Sequence, residues 1–203
     1  MSTHDVYKNV AERTGGDIYL GVVGPVRVGK STFIKKMMEQ AVIPYVRDED
    51  EKARMIDELP QSAQGKTIMT TEPKFVPNEA VEITIGENLK LKTRLVDCVG
   101  YVVPGANGHE DESGNPRMVL TPWFKEPVDF STAAEIGTEK VIKDHSTIGI
   151  VVTTDGSFGE FSRNDYLEAE NRVISELKGI GKPFIVLLNS AHPMLPETIN
   201  LAD

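Results

Sequence analysis

The sequence predicts an α/β fold in which a mostly parallel sheet carries helices on both faces. Three observations point there. Apolar strand-like runs alternate with segments whose apolar residues recur at helical spacing. The runs at 17–23, 148–154 and 183–188 are apolar almost throughout rather than alternating, as strands covered on both faces are. A stretch rich in Gly, Pro, Asn and acids begins at Gly100 and interrupts the alternation to about His145, which marks one long, partly ordered insertion.

Each element has its own reason. Residues 17–23 form the first strand and lead straight into a glycine-rich turn. Residues 31–40 follow as a helix, with Phe33, Ile34, Met37 and Met38 on one face. The charged segment 47–58 forms an exposed helix that stops before Pro60, and its acidic start at 48–51 is a solvated face. Residues 81–85 and 89–96 are strands, the second alternating Leu89, Leu91, Thr93 and Leu95, and they close as an antiparallel hairpin over Gly86, Glu87 and Asn88. Within the insertion a helix is expected over 131–144. The β-branched run 148–154 is a buried strand. Residues 164–178 repeat Tyr166, Leu167, Val173, Ile174 and Leu177 at helical spacing and stop before Gly179 and Gly181. Residues 183–188 form another buried strand.

The 203 residues, 39% hydrophobic and 26% charged, describe one globular domain. A chain of that length buries roughly 70% of its unfolded surface without staples. The single cysteine, Cys98, precludes an intramolecular disulfide and fits a reducing, cytosolic compartment. Residues 1–13 lack a signal-type apolar core, and no apolar run approaches the roughly 20 residues of a membrane span. A net charge of −9, from 31 acids against 22 bases, argues against a nucleic-acid surface, which needs clustered Lys and Arg. It leaves room for one basic loop gripping a small anion.

That loop is present. Gly24, Pro25, Val26, Arg27, Val28, Gly29, Lys30 and Ser31 match G-x-x-x-x-G-K-[S/T] at every fixed position, after a buried strand and at the start of a helix, with Thr32 following. Glycines let the backbone curl so that successive N–H groups point at phosphate oxygens, and the helix N-terminus adds its dipole. Lys30 supplies charge for the β- and γ-phosphates, and the Ser31 hydroxyl can ligate Mg²⁺. The pattern is that of a P-loop NTPase.

The metal also needs a carboxylate, and Asp97 ends the second hairpin strand in an Asp-x-x-Gly pattern with Gly100. There the carboxylate can hold a Mg²⁺-bound water while the Gly100 N–H reaches the γ-phosphate. Between the two motifs lies a threonine-rich stretch, 65–73. GTPase-like folds use a threonine here to meet Mg²⁺ and the γ-phosphate, and Thr70 or Thr71 is placed for it. The same stretch suits a β-edge leading to Phe75 equally well.

What is missing also informs. Where a guanine-specific site has Asn-Lys-x-Asp, this chain has Asn189, Ser190, Ala191 and His192. Losing charge-assisted bonds of roughly 1.5–3 kcal/mol each removes the preference for guanine and favours adenine or indifference. Tyr101, not glutamine, follows Gly100, so the water-orienting group is unassigned; Asp155 is a candidate, though an Asp-Gly turn explains it as well. No arginine stands out as a finger in cis, and a site completed in trans by self-association would fit that gap. Cys98 reads as a small buried residue rather than a nucleophile, Trp123 as an anchor for the insertion, and His109, His145 and His192 show no metal-ligand spacing.

Beyond the motifs, residues 11–24, 57–77, 95–101, 134–137 and 145–149 closely resemble the stage IV sporulation protein A family, and the similarity runs over essentially the whole chain. The resemblance implies a spore-coat morphogenetic ATPase of endospore-forming bacteria, built on a GTPase-like fold. Such a protein polymerises irreversibly into the basement layer of the coat at the outer forespore membrane, from the mother-cell cytoplasm. It implies Lys30 as the phosphate-loop lysine, Asp97 as the metal-site aspartate, and Thr70 and Thr71 as nucleotide-sensing threonines. Family members are much longer, so residues 1–203 would be an N-terminal ATPase domain. The further regions would contact other coat morphogenetic proteins and a short amphipathic membrane-anchor peptide.

The leading reading is therefore ATP hydrolysis with Mg²⁺, coupled to self-assembly. The alternatives are a regulatory GTPase of the translation-factor class, and a scaffold that binds nucleotide without turnover. A small-molecule kinase lacks an acceptor-site base and a lid motif.

Overall fold

A computed structural model describes residues 17–60, 72–85, 89–106, 108–111 and 113–203. Its elements, in chain order, are β1 (Asp17–Val23), α1 (Lys30–Met37), α2 (Glu49–Glu58), β2 (Lys74–Ile85), β3 (Leu89–Asp97), β4 (Met118–Val119), β5 (Val128–Asp129), α3 (Phe130–Asp144), β6 (Ile148–Thr154), α4 (Arg163–Ile180), β7 (Phe184–Asn189) and α5 (Pro196–Ala202). Five strands form one sheet in the order β2-β3-β1-β6-β7. All neighbours run parallel except the β2–β3 hairpin.

The central strand β1 explains how the helices are seated. Leu20, Val22 and Val23 are buried, while Gly21 and Gly149 lie opposite each other in register. A Cβ at Gly21 would sit 2.8 Å from Ser146 Cβ and 3.2 Å from Val141 Cγ1, and one at Gly149 would sit 3.0 Å from Leu177 Cδ2. The two glycines therefore let α3 and α4 settle side by side against one face. The other face is covered by α1, which buries Ile34 and, just past its end, Met38. That helix does not continue regularly to Gln40: Met38–Val42 form a π turn and Ile43–Tyr45 a 3₁₀ turn.

Local chemistry sets the other boundaries. The Asp48 carboxylate accepts from the N–H groups of Asp50 and Glu51, both at 2.9 Å, so the acidic run 48–51 is the capped start of α2. Ser162 and Asp165 form a capping box at the start of α4. That helix runs through Gly179 and ends at Gly181, whose left-handed φ of 72° suits only glycine without cost. The hairpin turn at 86–88 lies outside the described residues, and β2 starts earlier than the sequence pattern indicates, with a bulge between Val76 and Val81.

Two findings refine the sequence reading. Strand β7 is not buried: it is an edge strand, with Ile185 58% and Val186 48% exposed. Continuous apolar sequence cannot tell a covered strand from an edge strand. The insertion after Gly100 is held by Asp111, which accepts from the N–H of Ser113 (2.8 Å) and Asn115 (2.9 Å), and by the short β4–β5 pair. Trp123 lies against α3, with Lys140 Nζ 5.9 Å from its ring centroid. Among the described residues no helix is long and apolar enough to cross a membrane.

Candidate functional site

The loop 24–29 leaves β1 and enters α1 through three unusual backbone positions. Gly24 has φ 135°, Gly29 has φ 94°, and Arg27 has φ 65°. A Cβ at Gly24 would come within 2.2 Å of the Val152 carbonyl oxygen, so the loop packs against β6 with no room for a side chain. At its far side the Asn189 amide donates to the Val28 carbonyl at 3.0 Å, tying the end of β7 to the loop.

Lys30 is buried, and its ammonium donates to the Pro25 carbonyl at 2.6 Å and the Gly24 carbonyl at 3.3 Å. Burial lowers its pKa from the usual lysine value, and the nearby Cys98 and Asp97 oppose that fall. Asp97 ends β3 next to β1. Its Oδ2 accepts from the Ser31 hydroxyl at 2.6 Å, while its Oδ1 is buried without a hydrogen-bond partner. Burial raises the carboxyl above the ordinary carboxylate range, against the Ser31 bond and the Lys30 charge.

A buried carboxylate oxygen with no partner, on a carboxylate bonded to the Ser31 hydroxyl, puts hard oxygen donors at the end of the phosphate loop. That fits Mg²⁺, which is commonly held by one carboxylate and a hydroxyl together with substrate phosphates and water. Among the described residues no cluster of three or more His, Cys, Asp or Glu offers an alternative metal site.

The Asp-x-x-Gly segment folds back over the loop. The Tyr101 N–H donates to the Gly24 carbonyl at 3.3 Å, and the Val26 N–H donates to the Tyr101 carbonyl at 2.9 Å. Gly100 (φ 90°) is pressed onto the site: an added Cβ would lie 2.1 Å from the Gly24 oxygen and 2.5 Å from Lys30 Nζ. The Tyr101 side chain turns away, its hydroxyl donating to Glu176 on α4 and its ring lying 5.0 Å from the Arg172 guanidinium. Arg172 in turn grips Glu135 of α3 through two bonds of 2.6 and 2.8 Å. Burial raises the Tyr101 phenol well above its normal range, so it stays a donor.

The structure thus brings together Gly24, Pro25, Val26, Arg27, Val28, Gly29, Lys30, Ser31, Asp97 and Gly100, with Thr32 exposed on the first turn of α1. Thr70 and Thr71 lie outside the described residues. Asp155 accepts from the Ser157 N–H at 2.9 Å as a turn former. Cys98 is buried, its thiol donating to the Val22 carbonyl at 3.3 Å and pushed up by burial to a pKa of about 11, as an inert residue would be. Sequence reasoning missed the brace from Asn189 and the backbone clamp of Tyr101. Asn189 is 161 residues from Val28, and no local pattern links them.

With this geometry in hand, comparison with known proteins is specific. The family described as "Stage IV sporulation protein A, ATPase domain" matches residues 1–203. The chain is 64% identical over 198 residues to stage IV sporulation protein A of Bacillus subtilis (strain 168), covering 98% of this chain and 40% of that protein. It is 63% identical over 201 residues to the Bacillus anthracis protein of that name (99% and 41%) and 60% identical over 195 residues to that of Clostridioides difficile (strain 630; 96% and 40%). It therefore spans about two fifths of the length of these curated relatives. A solved structure of Toc33 from Arabidopsis thaliana aligns at 14% identity and a TM-score of 0.39, over 92% of this chain and 77% of that one, too loose a match to carry an argument.

Proposed function

This chain belongs to the stage IV sporulation protein A family, and from that premise we propose that it binds ATP with Mg²⁺ and hydrolyses it. Turnover drives self-assembly of the longer protein into the basement layer of the spore coat. The observation that carries the reading is the pairing of Asp97 with Ser31 beside buried Lys30, in a chain matched over its full length by an ATPase-domain family.

The loop N–H groups and Lys30 bind the phosphates, and Lys30 must leave the Pro25 and Gly24 carbonyls to do so. Ser31 and the free oxygen of Asp97 would hold Mg²⁺, which would supply charge neutralisation at the phosphates. The Gly100 N–H is assigned to the γ-phosphate, and Thr70 and Thr71 to nucleotide sensing. The loop after β7 has His192 where Asn-Lys-x-Asp would place its aspartate, which supports adenine, or indifference to the base, over a preference for guanine. The partners are further copies of the chain, other coat morphogenetic proteins and a short amphipathic membrane-anchor peptide, the latter two through regions outside residues 1–203. The site of action is the mother-cell face of the outer forespore membrane.

The test is ATP against GTP hydrolysis by the full-length protein, measured against protein concentration alongside sedimentation. ATP turnover that precedes filament formation is expected. A roughly hundredfold preference for GTP would support the translation-factor-like reading, and phosphate release at no concentration would support a non-hydrolysing scaffold. Lys30→Ala is expected to lose ATP binding, and normal hydrolysis by that variant would sink the assignment.

A further inference from the structure

The phosphate loop holds a second cation that the roles above leave unused. Arg27 lies between Gly24 and Lys30, and among the described residues it is the non-glycine residue with positive φ, 65°. An L-residue in that conformation is strained, and strain of this kind persists where the surrounding structure has a use for it. The side chain is half-buried and its Nε is buried without a hydrogen bond.

Comparison with the other arginines sharpens the point. The buried Nε atoms of Arg94 and Arg163 also lack hydrogen bonds. Yet the Arg94 guanidinium lies over the rings of Tyr19 (4.8 Å) and Phe75 (4.2 Å), and Arg163 is doubly bonded to Glu170. Arg172 is paired with Glu135 and Glu176, and Arg54 with Glu51 and Glu79. Arg27 has neither a carboxylate nor a ring within bonding reach among the described residues. Its charge is felt by the Tyr166 phenol of α4. In a chain with nine more acids than bases, a partly buried guanidinium on the phosphate loop that is unpaired among the described residues is suited to an anion brought by a ligand.

We propose that Arg27 is a catalytic residue, an arginine finger supplied in cis by the phosphate loop itself, whose guanidinium neutralises charge on the phosphates during transfer. This rests on the ATPase reading. As a water oxygen bonds to the γ-phosphorus, the bond from that phosphorus to the β–γ bridging oxygen breaks and its electron pair passes to the β-phosphate. One water proton stays with the released phosphate and the other goes to solvent. The charge gathering on the bridging and β-phosphate oxygens is what Arg27 meets, so its contribution is larger in the transition state than in the ground state.

The test uses Arg27→Gly, Arg27→Lys and the unaltered protein. Glycine takes φ 65° without strain, so Arg27→Gly is expected to melt at an equal or higher temperature, which separates loss of function from misfolding. Its kcat should fall by roughly a thousandfold, the low end for an arginine finger, with KM changed by less than about fivefold. Arg27→Lys, lacking the planar fork, should recover little of the rate. Independently of turnover, unaltered protein should bind ADP with Mg²⁺ and aluminium fluoride far more tightly than ADP with Mg²⁺ alone, and Arg27→Gly should keep ADP affinity and lose that gain. Unchanged kcat and unchanged gain in Arg27→Gly would overturn the proposal while leaving the ATPase reading intact. A gain in unaltered protein that Arg27→Gly loses, without ATP hydrolysis by either, would overturn the ATPase reading and with it the catalytic role, leaving Arg27 a phosphate-binding residue only.

Discussion

Gly100→Ala tests how closely the Asp-x-x-Gly segment is pressed onto the phosphate loop. Two costs are separable. Placing an L-residue at φ 90° costs roughly 1–2 kcal/mol. The methyl group would also sit 2.1 Å from the Gly24 carbonyl oxygen and 2.5 Å from Lys30 Nζ. That oxygen already accepts from both Lys30 and Tyr101, so it cannot retreat without breaking the strap. Overpacking of this kind adds about 1–3 kcal/mol. The control is Gly114→Ala, at φ 77° with nothing within 4 Å of the added carbon, which carries the backbone cost alone. With melting shifts of about 2–4 °C per kcal/mol for a chain of this size, and mid-range costs of about 1.5 and about 3.5 kcal/mol, the control should lose about 3–6 °C and Gly100→Ala about 7–14 °C. Differential scanning calorimetry without nucleotide reads both. Equal losses in the two variants would refute the close approach. Gly100→Ala should also bind ADP normally while losing ATP turnover.

Three further outcomes are expected. Without Mg²⁺ or nucleotide, Asp97→Asn should raise the melting temperature, because it removes a buried charge whose Oδ1 has no partner, and it should abolish the Mg²⁺-dependent gain in ATP affinity seen by calorimetry. The pH dependence has a definite sign: the Asp97 carboxyl is raised in the folded state, so the native protein holds that proton more tightly than the unfolded chain does. Its contribution to stability is present at low pH and lost as pH rises through the raised value, so the stability of Asp97→Asn relative to unaltered protein should grow across that window in urea titrations; a shrinking difference would contradict the burial of Asp97. Asn189→Ala removes the 3.0 Å bond to the Val28 carbonyl and should cost about 1 kcal/mol of stability and roughly fivefold in ATP affinity, measured by titration calorimetry.

Much of this protein could be read from its sequence because the informative residues are contiguous. The phosphate loop spans eight consecutive residues from Gly24 to Ser31, its chemistry depends on backbone direction, and the glycines that permit that direction are visible. Strand and helix periodicities located β1, β3, β6 and α4 within a few residues. Asp97 was legible because an apolar strand ends on it. A helix starting near Asp48 and another stopping by Gly181 were legible from residue chemistry that acts within one turn, although the Asp48 cap itself and the passage of the second helix through Gly179 were not.

What lay beyond reach depends on separation in sequence or on which surfaces are covered. Tyr101 stands in sequence where a water-orienting residue is expected, yet its side chain is claimed by Glu176 and Arg172 on a helix some seventy residues later. Asn189 stands where a guanine-reading motif would begin, and nothing local shows that its amide braces Val28. The apolar run of β7 gave no sign that one edge and much of its surface would be open. The strain and isolation of Arg27 lie in a positive φ and a buried Nε without a hydrogen bond, and no local pattern encodes either.

By itself, then, the sequence determined the fold class, the family, and a phosphate loop with its lysine, serine and aspartate, because local periodicity and backbone chemistry act between near neighbours. Only the tertiary structure decided which charges are paired, which stay unpaired, and which backbone segment closes over the loop. Those follow from desolvation and from contacts between residues far apart in the chain, and no local pattern encodes them.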